Sequence, residues 1–266
     1  MKMKRSIFYL FGVLILVVVS GCSKPSPLLE MNAEEAFRFL VATYDRGDWL
    51  DAANGFDFYT LNYSGASLVD SAQYMLGMSH FQLKEYLLTA NAFDELTRRF
   101  PRSRLVPDAM FMVGLCYWEL SPKYSLDQEY TNRALEAFQA FIDYFPEHKE
   151  KVDKAQEYIA FCREKLAHKE YASGVIYLKM KDYSSAAIYF QSVLERYYDM
   201  EWAPLAAFKL GVSLAGDKKY QEAEQALLMF LTKYPGHPWH SKAQSTIEDI
   251  HEQMAGGERD RWRDAD

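Results

Sequence analysis

Apolar residues recur along most of the chain at the three- and four-residue spacing of amphipathic helices, and we find no alternating pattern typical of strands. Four of these helical runs contain a glycine at matching places: Gly77 and Gly114, like Gly174 and Gly211, are 37 residues apart. A second helical run follows each glycine, and in three segments a large apolar residue stands sixteen positions on: Phe93, Phe190 and Leu227. The pattern predicts repeated pairs of antiparallel helices.

Five units fit this frame. Unit one has Leu40 at the glycine position and Phe56 at the aromatic position, and unit three reaches Phe138 after eight extra residues at 121–128. Proline closes three of the units, because it cannot continue a helix: Pro101, Pro146 and Pro235. This pattern resembles the tetratricopeptide repeat, which implies an all-α superhelix (an α-solenoid) of five helix-turn-helix repeats with a C-terminal capping helix.

The repeat frame also divides the chain into segments. It predicts repeats 1–3 at residues 33–148, a connecting helix at 149–166, repeats 4–5 at 167–237, a capping helix at 238–254 and a charged, disordered tail at 255–266.

The N-terminus has the pattern of a secretory signal. Lys2, Lys4 and Arg5 precede an apolar run at residues 7–19, which is short for a helix that spans a membrane. Residues 1–21 are therefore predicted to be removed as a signal peptide.

The last residues of this signal resemble a bacterial lipobox, since Ser20 and Gly21 stand directly before Cys22. The resemblance implies cleavage before Cys22, acylation of that cysteine, and a short tether at residues 22–32. Ser23 stands where an aspartate would resemble an inner-membrane retention signal, so the outer membrane is favoured. The alternative is an ordinary signal peptide with an incidental cysteine.

Composition and charge exclude several classes of protein. The formal net charge of -7 argues against a nucleic-acid binder that relies on bulk positive charge. No phosphate-binding loop, zinc-protease motif or nucleophile elbow is present, and His237 and His240 flank Pro238, which disfavours a helical metal site. We expect no catalytic residues, no metal and no cofactor. Cys116 and Cys162 lie in helical patterns. The sequence alone does not decide whether they form a disulfide.

An aromatic stripe provides the candidate binding site. Residues three before and four after the glycine position share one face of helix A, the first helix of each unit. In units one to three all six are aromatic, which predicts a peptide groove in the N-terminal half: Phe37, Tyr44, Tyr74, Phe81, Phe111 and Trp118. The alternative is that these rings only pack between helices.

The insertion in unit three provides a second candidate. Loops that project from one face of a solenoid often contact partners. Asp127 and Gln128 are therefore candidate partner-contact residues, and the alternative is a change of loop length without a role.

Three stretches beyond the generic repeat resemble the BamD family, the lipoproteins of the bacterial β-barrel assembly machinery: residues 126–131, 138–146 and 165–171. The resemblance covers residues 33–254. It implies a position on the periplasmic face of the outer membrane and three kinds of partner: BamA, which carries POTRA domains and a barrel, other assembly lipoproteins, and unfolded outer-membrane proteins with an aromatic C-terminal signal.

By the same resemblance, repeats 1–3 would take the substrate and repeats 4–5 would dock BamA. Residues 187–190 are apolar where enterobacterial relatives have a basic residue, so that contact does not carry over. In unit four, Tyr198 stands at the position where Pro101 and Pro235 close units two and five. The alternative function is a periplasmic repeat lipoprotein that coordinates cell-envelope constriction or peptidoglycan synthesis.

Overall fold

The computed structural model describes residues 27–263, and over that range it is helical throughout. After a short 3₁₀ turn at Pro27–Leu29, the first six helices are α1 (Ala33–Asp45), α2 (Trp49–Asn62), α3 (Val69–Gln82), α4 (Tyr86–Arg99), α5 (Val106–Leu120) and α6 (Glu129–Tyr144). The remaining five are α7 (Lys149–Lys179), α8 (Tyr183–Arg196), α9 (Trp202–Gly216), α10 (Tyr220–Lys233) and α11 (His240–Arg263).

Each helix packs mainly against the next helix along the chain. The buried apolar residues accordingly form a series of clusters from one end to the other, each built by consecutive helices. This nearest-neighbour arrangement is that of an α-solenoid, in which every unit buries its apolar face against the following unit. The predicted all-α repeat fold is confirmed.

The glycine positions explain how tightly the two helices of a unit approach. A methyl group on Gly114 would lie 2.6 Å from Cε1 of Phe138, and one on Gly77 would lie 2.7 Å from Cε1 of Phe93. Both phenylalanines are fully buried. In unit one the roles are reversed, because Leu40 occupies helix A and Gly55 in α2 leaves room for its side chain.

The turns between paired helices use the left-handed backbone region. Gly47 has a φ of 84° in unit one, whereas lysines stand at the equivalent turns of units two, four and five with φ near 60°: Lys84, Lys181 and Lys218. Glycine adopts this conformation freely, but a residue with a Cβ atom is strained there.

Replacing Lys181 with glycine should therefore raise the free energy of unfolding by about 1 kcal/mol, because the strain disappears. Urea unfolding followed by circular dichroism measures the change. Lys181→Ala retains the Cβ atom and serves as the control, with stability close to that of the natural protein. A less stable Lys181→Gly variant would contradict the argument.

The centre of the chain differs from the predicted division. The connecting segment at 149–166 and helix A of unit four form one 31-residue helix, α7. No proline or glycine separates them, and Leu166 and Ala167 at the predicted boundary are buried helix-forming residues. A segment without a helix-ending residue continues as a helix.

The C-terminal helix α11 packs on α10 and buries Ala243 and Ile250 against unit five. The helix continues to Arg263, so it is longer than the predicted capping helix at 238–254 and includes residues predicted as a disordered tail. Glycines at 256 and 257 weaken a helix without ending it. The signal peptide, Cys22 and residues 264–266 lie outside the described residues.

Both internal cysteines are free thiols in the core. Burial raises the pKa of Cys116 to about 12 and the pKa of Cys162 to about 11. Neither side chain is a thiolate near neutral pH, so both act as small apolar residues. Over residues 27–263, no helix has the length and hydropathy needed to cross a bilayer.

Candidate functional site

The predicted groove has two aromatic residues in each of units one to three. The first of the two packs against helix B, the second helix of the same unit. Phe37 packs edge-on against Phe56 and Tyr59, with ring centroids 6.0 and 5.9 Å apart. Tyr74 lies 5.3 Å from Phe93, and the buried ring of Phe111 lies 5.6 Å from Phe138 and 5.5 Å from Phe141. These three rings contribute to packing within their units.

The second residue of the pair contacts the next unit in units one and three, whereas in unit two it packs within its own unit. The Tyr44 hydroxyl accepts a hydrogen bond of 3.2 Å from the Gln82 amide in the next unit. Phe81 packs on Tyr86 at 5.6 Å. Trp118 packs on two rings of α7, Tyr158 at 5.4 Å and Phe161 at 6.0 Å. Except for Phe111, the six residues are partly exposed, so each ring is packed on one side and open on the other.

The two tyrosines of units one and two lie near each other. Burial raises the pKa of Tyr74, and the nearby Asp108 and Tyr44 raise it further. Asp108 in α5 also pairs with Lys151 in α7. Tyr44, Tyr74, Asp108 and Lys151 therefore form a row of polar and aromatic side chains that runs from unit one to α7.

A cavity of about 570 Å³ opens where unit three, the insertion, α7 and the start of α9 meet. We call it the central cavity. Aromatic rings form much of its wall. Three of them are stacked: the ring centroids of Tyr124 and His168 are 3.5 Å apart, and those of His168 and Trp202 are 3.9 Å apart. The other lining residues are Trp118, Lys123, Ser125, Phe161, Glu164, Lys165 and Glu201.

The insertion is a folded loop that is bonded to α7. The Lys165 ammonium donates to Ser121 Oγ at 2.7 Å, and the Lys169 ammonium donates to the Leu126 carbonyl at 2.6 Å. Residues 126–131 and 165–171, two of the stretches that carry the family resemblance, therefore contact each other. The two stretches are far apart in the sequence but belong to one structural feature, the insertion bonded to α7.

The two candidate loop residues differ in their surroundings. Gln128 is only 4% exposed, and its amide donates to the carbonyls of Lys123 and Leu126 at 2.9 and 3.0 Å. Asp127 is exposed, and its carboxylate accepts the backbone N–H of Glu129 at the start of α6. Gln128 thus holds the loop together from inside, while Asp127 remains open to a partner.

Electrostatics in the central cavity centre on two carboxyl groups. Burial raises the pKa of Glu164, and the neighbouring Glu201 raises it further. Burial lowers the pKa of both Lys165 and His168, which face the same space. The cavity therefore disfavours charge of either sign at these three side chains, because burial penalises the charged form of each.

This arrangement predicts a pH effect at Glu164. A carboxyl group whose pKa is raised by folding adds stability below its unfolded pKa, and that contribution is lost as the pH rises through the folded pKa. Glu164→Gln cannot lose a proton, so its stability relative to the natural protein should increase between about pH 4 and pH 8. Urea unfolding across this range measures the difference.

Glu252→Gln, which changes an exposed carboxylate of α11, is the control and should give a curve parallel to that of the natural protein. A Glu164→Gln curve that also runs parallel would contradict the raised pKa of Glu164, and with it the effects of both burial and Glu201.

Sequence reasoning missed three rings of the central cavity: Phe161, His168 and Trp202. Phe161 is 58% exposed on α7, although the apolar stripe of that helix includes its neighbour Cys162. The sequence signal for Phe161 was an aromatic residue next to that stripe, on the polar side of the predicted connecting helix. In the part of the chain that the structure describes, no three His, Cys, Asp or Glu side chains are grouped to hold a metal ion.

Helix pairs joined through close glycine–aromatic contacts define this chain as a tetratricopeptide-repeat solenoid, and a tetratricopeptide family model matches residues 205–237. A second family model, YfiO, described as an outer membrane lipoprotein, matches residues 29–213, well over half the chain. The chain therefore belongs to the YfiO family of outer membrane lipoproteins, and the expected BamD-type membership is confirmed.

Individual relatives are distant. The chain is 25% identical over 243 residues to the outer membrane protein assembly factor BamD of Caulobacter vibrioides, which covers 90% of this chain and 79% of the relative. Among solved structures, a tetratricopeptide repeat protein of Parabacteroides merdae is 17% identical, covers 85% of this chain and 75% of its own, and gives a TM-score of 0.36. A thermophilic repeat protein of Thermus thermophilus is 14% identical, with 82% and 98% coverage and a TM-score of 0.34.

Proposed function

We propose that this protein is a non-catalytic lipoprotein scaffold of the outer-membrane β-barrel assembly machinery. The observation that carries the proposal is the YfiO family match over residues 29–213, together with a relative named as an outer membrane protein assembly factor. The solenoid supports it, because stacked helix pairs present extended surfaces that suit polypeptide partners.

We place the substrate at the helix A side chains of units one to three and in the central cavity. An unfolded barrel protein offers extended chain with alternating apolar side chains, and partly exposed rings are suitable anchors for it. Trp118 connects the two regions, since it belongs to the predicted stripe and also lines the cavity. Asp127 is exposed in the insertion, whose residues Lys123 and Tyr124 line the cavity.

We place the BamA-type partner on repeats 4–5. Three apolar side chains in the last turn of α7, directly after it and in the first half of α8 are exposed, and we call them the unit-four patch: Ile176, Met180 and Ile188. A further cavity of about 490 Å³ lies between α8, α9 and α10, where Leu194, Leu210 and Met229 contribute apolar surface. Exposed apolar groups of this kind favour docking of a folded domain.

Photo-crosslinking in native membranes tests the division. A photoreactive residue at Phe161 should capture unfolded barrel proteins, and one at Ile188 should capture a barrel protein with POTRA domains. Lys154, an exposed residue of α7 outside both regions, is the control position. Recovery of cell-wall synthases alone from Phe161 and Ile188 would favour the role in constriction or peptidoglycan synthesis instead.

The lipid anchor has its own test. Replacing Cys22 with alanine should abolish incorporation of labelled palmitate and release the protein from the membrane fraction, since several acyl chains are needed for stable anchoring. Metabolic labelling followed by fractionation measures both. Cys116→Ala, which changes a buried thiol, is the control and should leave labelling unchanged. Full labelling of Cys22→Ala would contradict the anchor.

A further inference from the structure

The chain becomes fixed to unit one at Leu28, six residues after the predicted lipid-bearing cysteine. The Leu28 side chain is buried in the core of unit one. The Tyr63 hydroxyl at the end of α2 lies 2.8 Å from the carbonyl oxygens of both Leu28 and Met31, to which it donates. The segment before α1 is therefore attached to the α2 end of unit one.

This attachment limits how far the protein lies from its anchor. Each residue of an extended chain spans at most about 3.6 Å, so Cys22 and Leu28 are no more than about 22 Å apart whatever the conformation between them. Unit five lies four units further along the solenoid. The length of the tether thus brings one particular end of the molecule to the lipid surface.

That end exposes two leucines. Leu29 is 64% exposed and follows directly after the buried Leu28, and Leu61 is 69% exposed two residues before Tyr63. The Tyr63 hydrogen bonds place both leucines at the same end of unit one. A terminal unit of a soluble solenoid ordinarily presents a polar outer face. At the opposite end, helix α11 covers unit five.

We propose that this end of unit one is a membrane-contact surface, with Leu29 and Leu61 in the headgroup region of the leaflet that holds the lipid anchor. The inference rests on the proposed acylation of Cys22. The anchor supplies proximity and the leucines orient the solenoid, so that its first unit faces the bilayer and its later units extend away from it.

Charge defines the kind of lipid surface. Glu34 and Glu35 begin α1, and Asp57 lies one helical turn before Leu61. All three carboxylates are exposed at or near this end, and within the described residues only Glu34 has a basic partner, Arg38. A zwitterionic headgroup surface accommodates them, whereas an anionic surface repels them.

The test uses the lipidated full-length protein in phosphatidylcholine vesicles that contain a headgroup-spin-labelled lipid. A fluorophore is attached through Asn62→Cys beside Leu61, or through Met229→Cys in unit five as the control, since both positions are exposed. The buried Cys116 and Cys162 should not compete for the label. Quenching at residue 62 should be at least about twice that at residue 229.

Three results separate the possibilities, with intact mass reporting the lipid on Cys22. Acylated protein with equal quenching at both positions overturns the membrane-contact surface and leaves the lipoprotein scaffold intact. Protein without lipid overturns both proposals. Leu29→Ser combined with Leu61→Ser should lower quenching at residue 62 towards the level at 229, and unchanged quenching overturns the role of the leucines.

A lipid series tests the charge argument. Replacing part of the phosphatidylcholine with phosphatidylglycerol should reduce quenching at residue 62, because the three carboxylates meet like charge. An increase would overturn the assignment to a zwitterionic surface.

Discussion

Replacing Phe138 with alanine should lower the free energy of unfolding by about 4 kcal/mol, as the loss of a fully buried aromatic side chain does. Phe138 stacks on Tyr158 of α7 at 4.9 Å and packs edge-on against Phe111. It therefore joins unit three to the long central helix, and its removal weakens two contacts at once. Urea unfolding followed by circular dichroism gives the change.

A second substitution makes this prediction specific to the glycine–aromatic contact. Gly114→Ala alone should cost about 1–3 kcal/mol, because the new methyl group lies 2.6 Å from the Phe138 ring. In the Phe138→Ala background the clash is absent, and alanine should instead stabilise the helix by about 1 kcal/mol. The two effects should be strongly non-additive.

Gly236→Ala is the control, since a methyl group there meets no atom within 4 Å. Its effect should be small and the same in both backgrounds. If Gly114→Ala gave equal changes with and without Phe138, the close approach of the two helices would not be the reason for glycine at this position.

Replacing Phe161 with serine should weaken binding of a C-terminal barrel peptide about tenfold, equivalent to about 1.4 kcal/mol. Phe161 is more than half exposed and lines the central cavity, so it offers an apolar contact without being needed for the core. Fluorescence anisotropy with a labelled peptide measures affinity, and thermal unfolding verifies that stability changes little.

Ile188→Ser is the matched control, because Ile188 is 70% exposed on α8 outside the central cavity. Peptide affinity should stay unchanged in this variant, while binding of the POTRA-bearing partner should fall. Equal losses of peptide affinity in both variants would indicate non-specific apolar contact, and no loss in Phe161→Ser would contradict a substrate role for the central cavity.

The repeat fold was predictable because its determinants are local. Gly77 and Phe93 stand sixteen residues apart in one unit, and the same contact recurs at Gly174 and Phe190. A pattern that repeats at fixed spacing is visible in the sequence, and so is the helix pair that it builds.

The central cavity could not be predicted in this way, because it depends on contacts between units. Trp118 in α5 and Trp202 in α9 are separated along the chain by the insertion and three helices, α6 to α8. Gln128 illustrates the same limit, since its polar side chain suggested exposure, whereas the loop backbone folds around it. Such polar burial follows from the loop's three-dimensional path.

The unbroken helix α7 has a consequence for how two partners are held at the same time. Phe161 faces the central cavity, and Ile176 belongs to the unit-four patch fifteen residues later. At 1.5 Å per residue these positions are about 22 Å apart along one helix. Changing that distance requires breaking backbone hydrogen bonds inside α7. A client in the cavity and a protein on the patch would therefore be presented to each other at constant spacing, whichever binds first.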